Sequence, residues 1–198
     1  MVPAERILLG FDARVEPSTM RDSWSTSERR TGLVRVDVAI PLSVDYLVWP
    51  SIWPLEGTGW RGPIQDLWDT PRRLSSALRA RPMRQPFWRI AVALVPQGLD
   101  AREVEAWTAR ARPVSLKAVS SRWRSLGFDV ADRYLTSGLV RFHDEDALVG
   151  LRRTWVRFIN ENHLFVDPTC ARDFAMQCDQ HPDHAPFFVY EIFLLAQS

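Results

Sequence analysis

The chain has 198 residues, 46% of them hydrophobic and 25% charged, with a formal net charge of +1. That balance fits a single globular domain, 1–198, whose core needs no disulfide staples, and it excludes recruitment of nucleic acid or an anionic membrane by global charge. No apolar run approaches the roughly 18 residues that cross a bilayer, the start MVPAERILLG has no signal-peptide pattern, and two cysteines suit a reducing compartment, so a cytoplasmic protein with no membrane partner is expected.

In chain order, RILLGFDARV (6–15) has the apolar content of a first strand, and the polar stretch 16–32 reads as a loop. LVRVDVAI (33–40) alternates, with Val34, Val36, Val38 and Ile40 on one face and Arg35 and Asp37 on the other, the mark of a half-buried strand. Residues 46–68 hold four tryptophans punctuated by prolines and glycines, which leaves a long ordered loop. Thr70-Pro71 is an N-cap with proline at the first helical position, and Leu74, Ala77 and Leu78 follow as the buried stripe. PFWRIAVALV (86–95) is apolar enough for a central strand. Asp100 and Glu103 form a capping box, and Val104, Trp107 and Ala111 line the helix behind it.

Leu116, Val119, Trp123 and Leu126 recur at helical spacing, with Gly127 placed to end that element; a short helix from Asp129 to Ser137 closed by Gly138 is expected next. Residues 145–159 carry the strongest helical pattern, through Leu148, Leu151, Trp155, Phe158 and Ile159. Asp167-Pro168 starts a last helix with Ala171, Phe174 and Cys178 inward, and FFVYEIFLL (187–195) is a final strand. Helices in a block, without βαβ alternation, point to an α+β fold: about four mostly antiparallel strands with the helices packed on one face. No internal repeat is read.

Several chemistries are weakly served. Cys170, Cys178, His181 and His184 fall within fifteen residues, but the cysteines lie eight apart on a helix, roughly 12 Å along its axis, too far to share a tetrahedral metal. No metal or other cofactor is expected. The carboxylates of HDED (143–146) and DVAD (129–132) suit helix N-termini as well as acid–base work. No Gly-x-Ser-x-Gly elbow, P-loop or dinucleotide fingerprint occurs, so no catalytic residue is assigned. Trp49, Trp53 and Trp60 could make a stiff aromatic platform for a small molecule or glycan, which with a nearby carboxylate is the alternative, enzymatic reading; the competing role is a lid whose indoles fill the core.

Charge is unevenly spread. Residues 61–124 carry 13 basic and 5 acidic groups, and residues 125–198 carry 6 basic and 11 acidic ones. Nearly all the cations are arginines, scattered without a nucleic-acid-binding module. Opposite charge on two faces suits oriented docking to another protein.

GFDVADRYLTSGL (127–139), FINENHLF (158–165) and DHAPFFVYEI (183–192) together resemble a group of uncharacterised bacterial proteins presumed to be immunity partners of secreted toxins. The likeness covers the C-terminal third and departs at Val140-Arg141, where a small polar residue or asparagine is expected. It implies a cytoplasmic protein that neutralises a toxin by direct binding, with no active site. The partner would be a protein, such as a basic toxin domain. Asp129, Asp132, Asp144, Glu145 and Asp146 are then the carboxylates expected to face it.

Overall fold

The structure is a computed structural model that describes residues 6–15, 67–80, 87–109, 111–115, 123–133, 138, 154–162, 164–180 and 185–195. The fold is α+β. Strands β1 (Arg6–Val15), β2 (Phe87–Leu94), β3 (Arg112–Val114), β4 (Trp123–Ala131) and β5 (Phe188–Leu195) form one sheet, ordered β3-β1-β2-β5-β4. Every registered pairing is antiparallel. Four strands are long, and β1, β2 and β5 are three of those expected; the fifth, β3, has three residues and carries Pro113, which an edge strand tolerates because its ladder is open on one side. Helices α1 (Pro71–Ala80), α2 (Ala101–Thr108) and α3 (Pro168–Cys178) complete the described elements of regular structure, with a 3-10 turn at Val156–Phe158.

The helix starts follow their cap chemistry. Thr70 accepts a hydrogen bond from the Arg73 N–H at the start of α1. Asp100 and Glu103 exchange side-chain to backbone bonds around α2. Asp167 accepts from the N–H groups of Thr169 and Cys170 at α3, with Pro168 at the first position, where no N–H is missed.

β2 is buried from Ile90 to its end at Leu94, as is Val95 just beyond it, because both sheet faces are covered there. On one face Ile7, Ile90, Val92, Leu94, Tyr190 and Ile192 pack with Trp107 of α2, whose indole meets Phe188 and Tyr190 edge-on at 5.4 and 6.3 Å. On the other, Leu74 of α1 covers Phe11, Ala91 and Phe193, while Phe174 of α3 covers Phe128, Val130 and Val189. Two helices thus share a face as anticipated, and α2 departs from the expected block by carrying its one large buried side chain to the opposite side.

Residues 123–131 overturn the helices expected around them: they form β4, paired residue by residue with β5. The helix expected over 145–159 is described only from residue 154, as one turn that tightens into the 3-10 segment. The expected strand 33–40 and most of the tryptophan-rich stretch lie outside the described residues. Its last residue, Trp68, is buried and forms a two-way backbone bridge with Phe11 on β1, 2.8 Å in each direction.

Candidate functional site

The described parts of the three stretches that carry the resemblance converge at the β4–β5 side of the sheet. β4 bulges between Ser125 and Gly127, and Gly127 adopts φ +133°, open to glycine and strained for other residues. A Cβ there would lie 2.8 Å from Leu164 Cβ, 2.8 Å from the Phe165 carbonyl oxygen and 2.9 Å from Asn160 Nδ2. Segment 158–165 therefore rests directly on the bulge. Asn160 Nδ2 donates to the Leu126 carbonyl at 2.7 Å, and Asn160 Oδ1 accepts from the N–H groups of Asn162 and Leu164. Phe128 and Phe165 exchange backbone bonds of 2.9 and 2.8 Å, and Gly138 N–H donates to the Val130 carbonyl at 2.7 Å. From Leu126 to Val130, these backbone groups of β4 on the side away from β5 are thus taken up by the chain itself.

Behind this edge sit the ionisable groups. Asp129 lies opposite Tyr190 in the ladder and is fully buried; Asp132 is 4% exposed. The Tyr190 hydroxyl donates to the Asp132 backbone carbonyl at 3.0 Å. Burial first, then the charges of Asp132 and Asp129, push the phenol well above its usual pKa, with Arg133 opposing. Tyr190 is consequently a neutral donor committed to a carbonyl, which suits tying the end of β4 to β5 and not proton transfer. Asp129 Oδ1 accepts from the next residue's N–H, of Val130, at 2.8 Å.

These positions correct the expected acidic docking face at two residues. Asp129 and Asp132 are not helix-start carboxylates open to a partner; the strand and the apolar clusters enclose them. Asp144, Glu145 and Asp146 lie outside the described residues, as do Trp49, Trp53 and Trp60 of the alternative platform. The exposed carboxylates described in the C-terminal part are Glu161, Asp167, Asp173 and Asp179, on and around α3. Met176, 57% exposed, stands on the same helix, and Val166, 60% exposed, just before it; these are the exposed large apolar side chains among the described residues. The outer side of α1 is the reverse, with Arg72, Arg73 and Arg79 exposed. Sequence reasoning missed Asp173 and Met176 as surface features, although the inward Ala171, Phe174 and Cys178 already assigned them to the outer side of the helix.

Cys178 is buried against Phe174 and Phe187, and Cys170 is half-buried. His181 and His184 lie outside the described residues. Among the described residues no three His, Cys, Asp or Glu side chains gather to hold a metal ion, and no helix is long and apolar enough to cross a membrane. Compared with known protein families, with characterised proteins and with solved structures, the chain matches none.

Proposed function

We propose that this chain acts by binding another protein, as a cytoplasmic bacterial immunity protein that neutralises a toxin by direct contact. The observation that carries this reading is the opposite charge of two helices on one sheet face: α1 exposes Arg72, Arg73 and Arg79, and α3 with its flanks exposes Asp167, Asp173 and Asp179 around Met176. A rigid scaffold with charges segregated in this way orients a partner during encounter, and an exposed methionine among carboxylates offers it an adaptable apolar anchor. α3 is held firmly for such a role. Ala171, Phe174, Ala175 and Cys178 are buried, Gln177 accepts from the Trp155 indole at 2.9 Å, and Asp179 accepts from the Phe187 N–H at 2.7 Å.

Asp173 and Met176 are the residues to change first, since Asp167 and Asp179 have structural duties. The partner captured by tagged protein from its own bacterium would be purified and its affinity measured against Asp173→Arg and Met176→Asp. Weakening by roughly tenfold or more, with loss of protection when toxin and variant are co-expressed, is the expected result. If no stoichiometric partner is retained, or if its affinity ignores both substitutions and charge reversal at Asp144, Glu145 and Asp146, the reading fails.

A further inference from the structure

The two sides of the sheet repeat each other, although no repeat is evident from periodicity alone. β1 and β4 both contain Leu-Gly-Phe-Asp, at 9–12 and 126–129. Each strand bulges immediately before that glycine, β1 between Leu8 and Gly10 and β4 between Ser125 and Gly127. Gly10 pairs with Val92 and Gly127 with Ile192, while Val92 and Ile192 pair with each other. A two-fold axis normal to the sheet through the Val92–Ile192 pair therefore superposes β1–β2 on β4–β5 in register.

The equivalence extends beyond the strands. Each glycine is met by a leucine followed by an aromatic residue: a Cβ on Gly10 would lie 2.7 Å from Leu67 Cβ and 2.8 Å from the Trp68 carbonyl oxygen, closely matching Leu164 and Phe165 at Gly127. Each aromatic residue bridges the phenylalanine after the glycine, Trp68 with Phe11 and Phe165 with Phe128. Leu67 and Leu164 join the core on one face of the sheet, and Trp68 and Phe165 pack on the other. Asp12 and Asp129 each accept from the following N–H, of Ala13 and Val130. Three residues past each aromatic comes a proline that opens a helix, Pro71 of α1 and Pro168 of α3, and both helices lie on the same sheet face. In the sequence, Thr31-Gly-Leu-Val-Arg35 and Ser137-Gly-Leu-Val-Arg141 also recur between each strand and its helix.

We infer that the chain is an internal duplication: residues 6–95 and 123–195 are two copies of one unit in which a bulged strand precedes a helix and a second strand, each covering its bulged strand, on the side away from the seam, with its own Leu-aromatic strap, and the β2–β5 seam is the interface through which one unit binds its twin. A shared register, bulge position, glycine contact and helix start in each half are more than antiparallel pairing alone requires. The copies have kept buried character and changed their surfaces. Counting from the prolines, Leu74 and Leu78 match Ala171 and Ala175, while exposed Ser76 and Arg79 match Asp173 and Met176. This rests on the geometry and is independent of the proposed toxin-binding role.

The test exchanges the order of the copies in the full chain. A circular permutant would start at residue 116, join Ser198 to Met1 through about 15 flexible Gly/Ser residues with a root-mean-square reach of roughly 20 Å, and end at Ser115. It is expected to give the native pattern of core amide and methyl resonances, because no unit is cut. In the unpermuted chain, Gly10→Ala and Gly127→Ala provide the second measurement by amide hydrogen exchange. Gly10→Ala should speed exchange at Phe11 and Trp68 by roughly tenfold or more, and Gly127→Ala should do so at Phe128 and Phe165, each sparing the other edge. A permutant that does not regain the native spectrum overturns the claim of two interchangeable units. If the permutant does not accumulate, the glycine pair decides: unchanged protection at Phe11 and Trp68 in Gly10→Ala, or loss of protection at both edges in either variant, overturns it equally.

Discussion

Arg6 and Glu191, 185 residues apart in sequence, form a buried ion pair on the α1–α3 face of the sheet, with Nε donating to Oε2 at 2.7 Å and each side chain 8% exposed. The pair sits diagonally across Ala93, whose small side chain leaves room for it. The two-fold axis puts Trp123 at the position of Arg6, Phe193 at that of Ala93 and Ala91 at that of Glu191, and there the Trp123 ring packs with Phe193 at 6.1 Å and meets the Phe11 ring edge-on at 5.7 Å. One half of the sheet thus fills with charge what the other fills with an aromatic ring. Removing one ion leaves the other buried and uncompensated, so Arg6→Met or Glu191→Gln should cost about 3–5 kcal/mol in urea unfolding. Arg6→Met combined with Glu191→Leu should recover much of that loss, because the desolvation of both ions is removed together. A double variant as unstable as the sum of the singles would show no coupling between the two side chains and would remove the uncompensated charge from the account.

The phenol of Tyr190 gives a prediction in pH. Its folded pKa is raised above the unfolded value near 10, so the folded state holds its proton longer than the unfolded state. The contribution of Tyr190 is therefore fully present below that unfolded value and is lost as pH rises from there through the folded pKa. The slope reaches about 1.4 kcal/mol per pH unit. Tyr190→Phe should abolish this alkaline slope. At neutral pH it should cost about 1–3 kcal/mol, since the Asp132 carbonyl loses its donor. Stability curves of the two proteins that run parallel above pH 10 would contradict the assignment.

Two glycines with positive φ should respond differently to alanine. Gly98, at φ +94°, would place its new Cβ 3.2 Å from Cδ of Arg172, a side chain able to move aside. Gly127 would meet Leu164 Cβ and the Phe165 carbonyl oxygen, both at 2.8 Å, and neither can yield without shifting the segment that covers β4. Backbone strain alone predicts about 1–2 kcal/mol for Gly98→Ala; strain plus overpacking predicts about 3 kcal/mol or more for Gly127→Ala. Equal melting temperatures for the two variants would remove the close packing from the account.

The same bulge explains where the sequence misleads. A strand with one inserted residue loses its two-residue period, so Trp123 and Leu126 read as the end of a helical pattern begun at Leu116 and Val119, which lie outside the described residues. Both faces of β4 are covered from Leu126 onward, so the polar alternation that would have marked a strand is absent as well. Gly127 reads as a helix stop and Asp129 as an N-cap, yet Asp129 makes its local bond inside a strand. By contrast α1, α2 and α3 were legible because each begins with a cap whose side chain can satisfy only nearby N–H groups. The Arg6–Glu191 pair had no local signal, since strand order alone brings its partners together. The repeated Leu-Gly-Phe-Asp was present in the sequence, but unequal spacers conceal it from a search for a fixed period.

The cap of α3 offers a test at the acid end. Asp167 is exposed, and its carboxylate is held below the usual range chiefly by hydrogen bonds from the Thr169 backbone and hydroxyl, with Cys170 N–H and the Arg172 charge adding to them and desolvation opposing. Because the folded pKa is depressed, the stabilisation is present above the unfolded value and is lost as pH falls through the folded one. Asp167→Asn keeps an acceptor oxygen and removes the charge, whereas Asp167→Ala removes both. Above about pH 5 the melting temperature should fall in the order wild type, Asp167→Asn, Asp167→Ala. The gap between the first two should close as the medium is acidified, leaving the alanine variant lowest. A gap between wild type and Asp167→Asn that persists unchanged at low pH would mean that geometry, and not charge at the helix N-terminus, makes aspartate the better cap at this position.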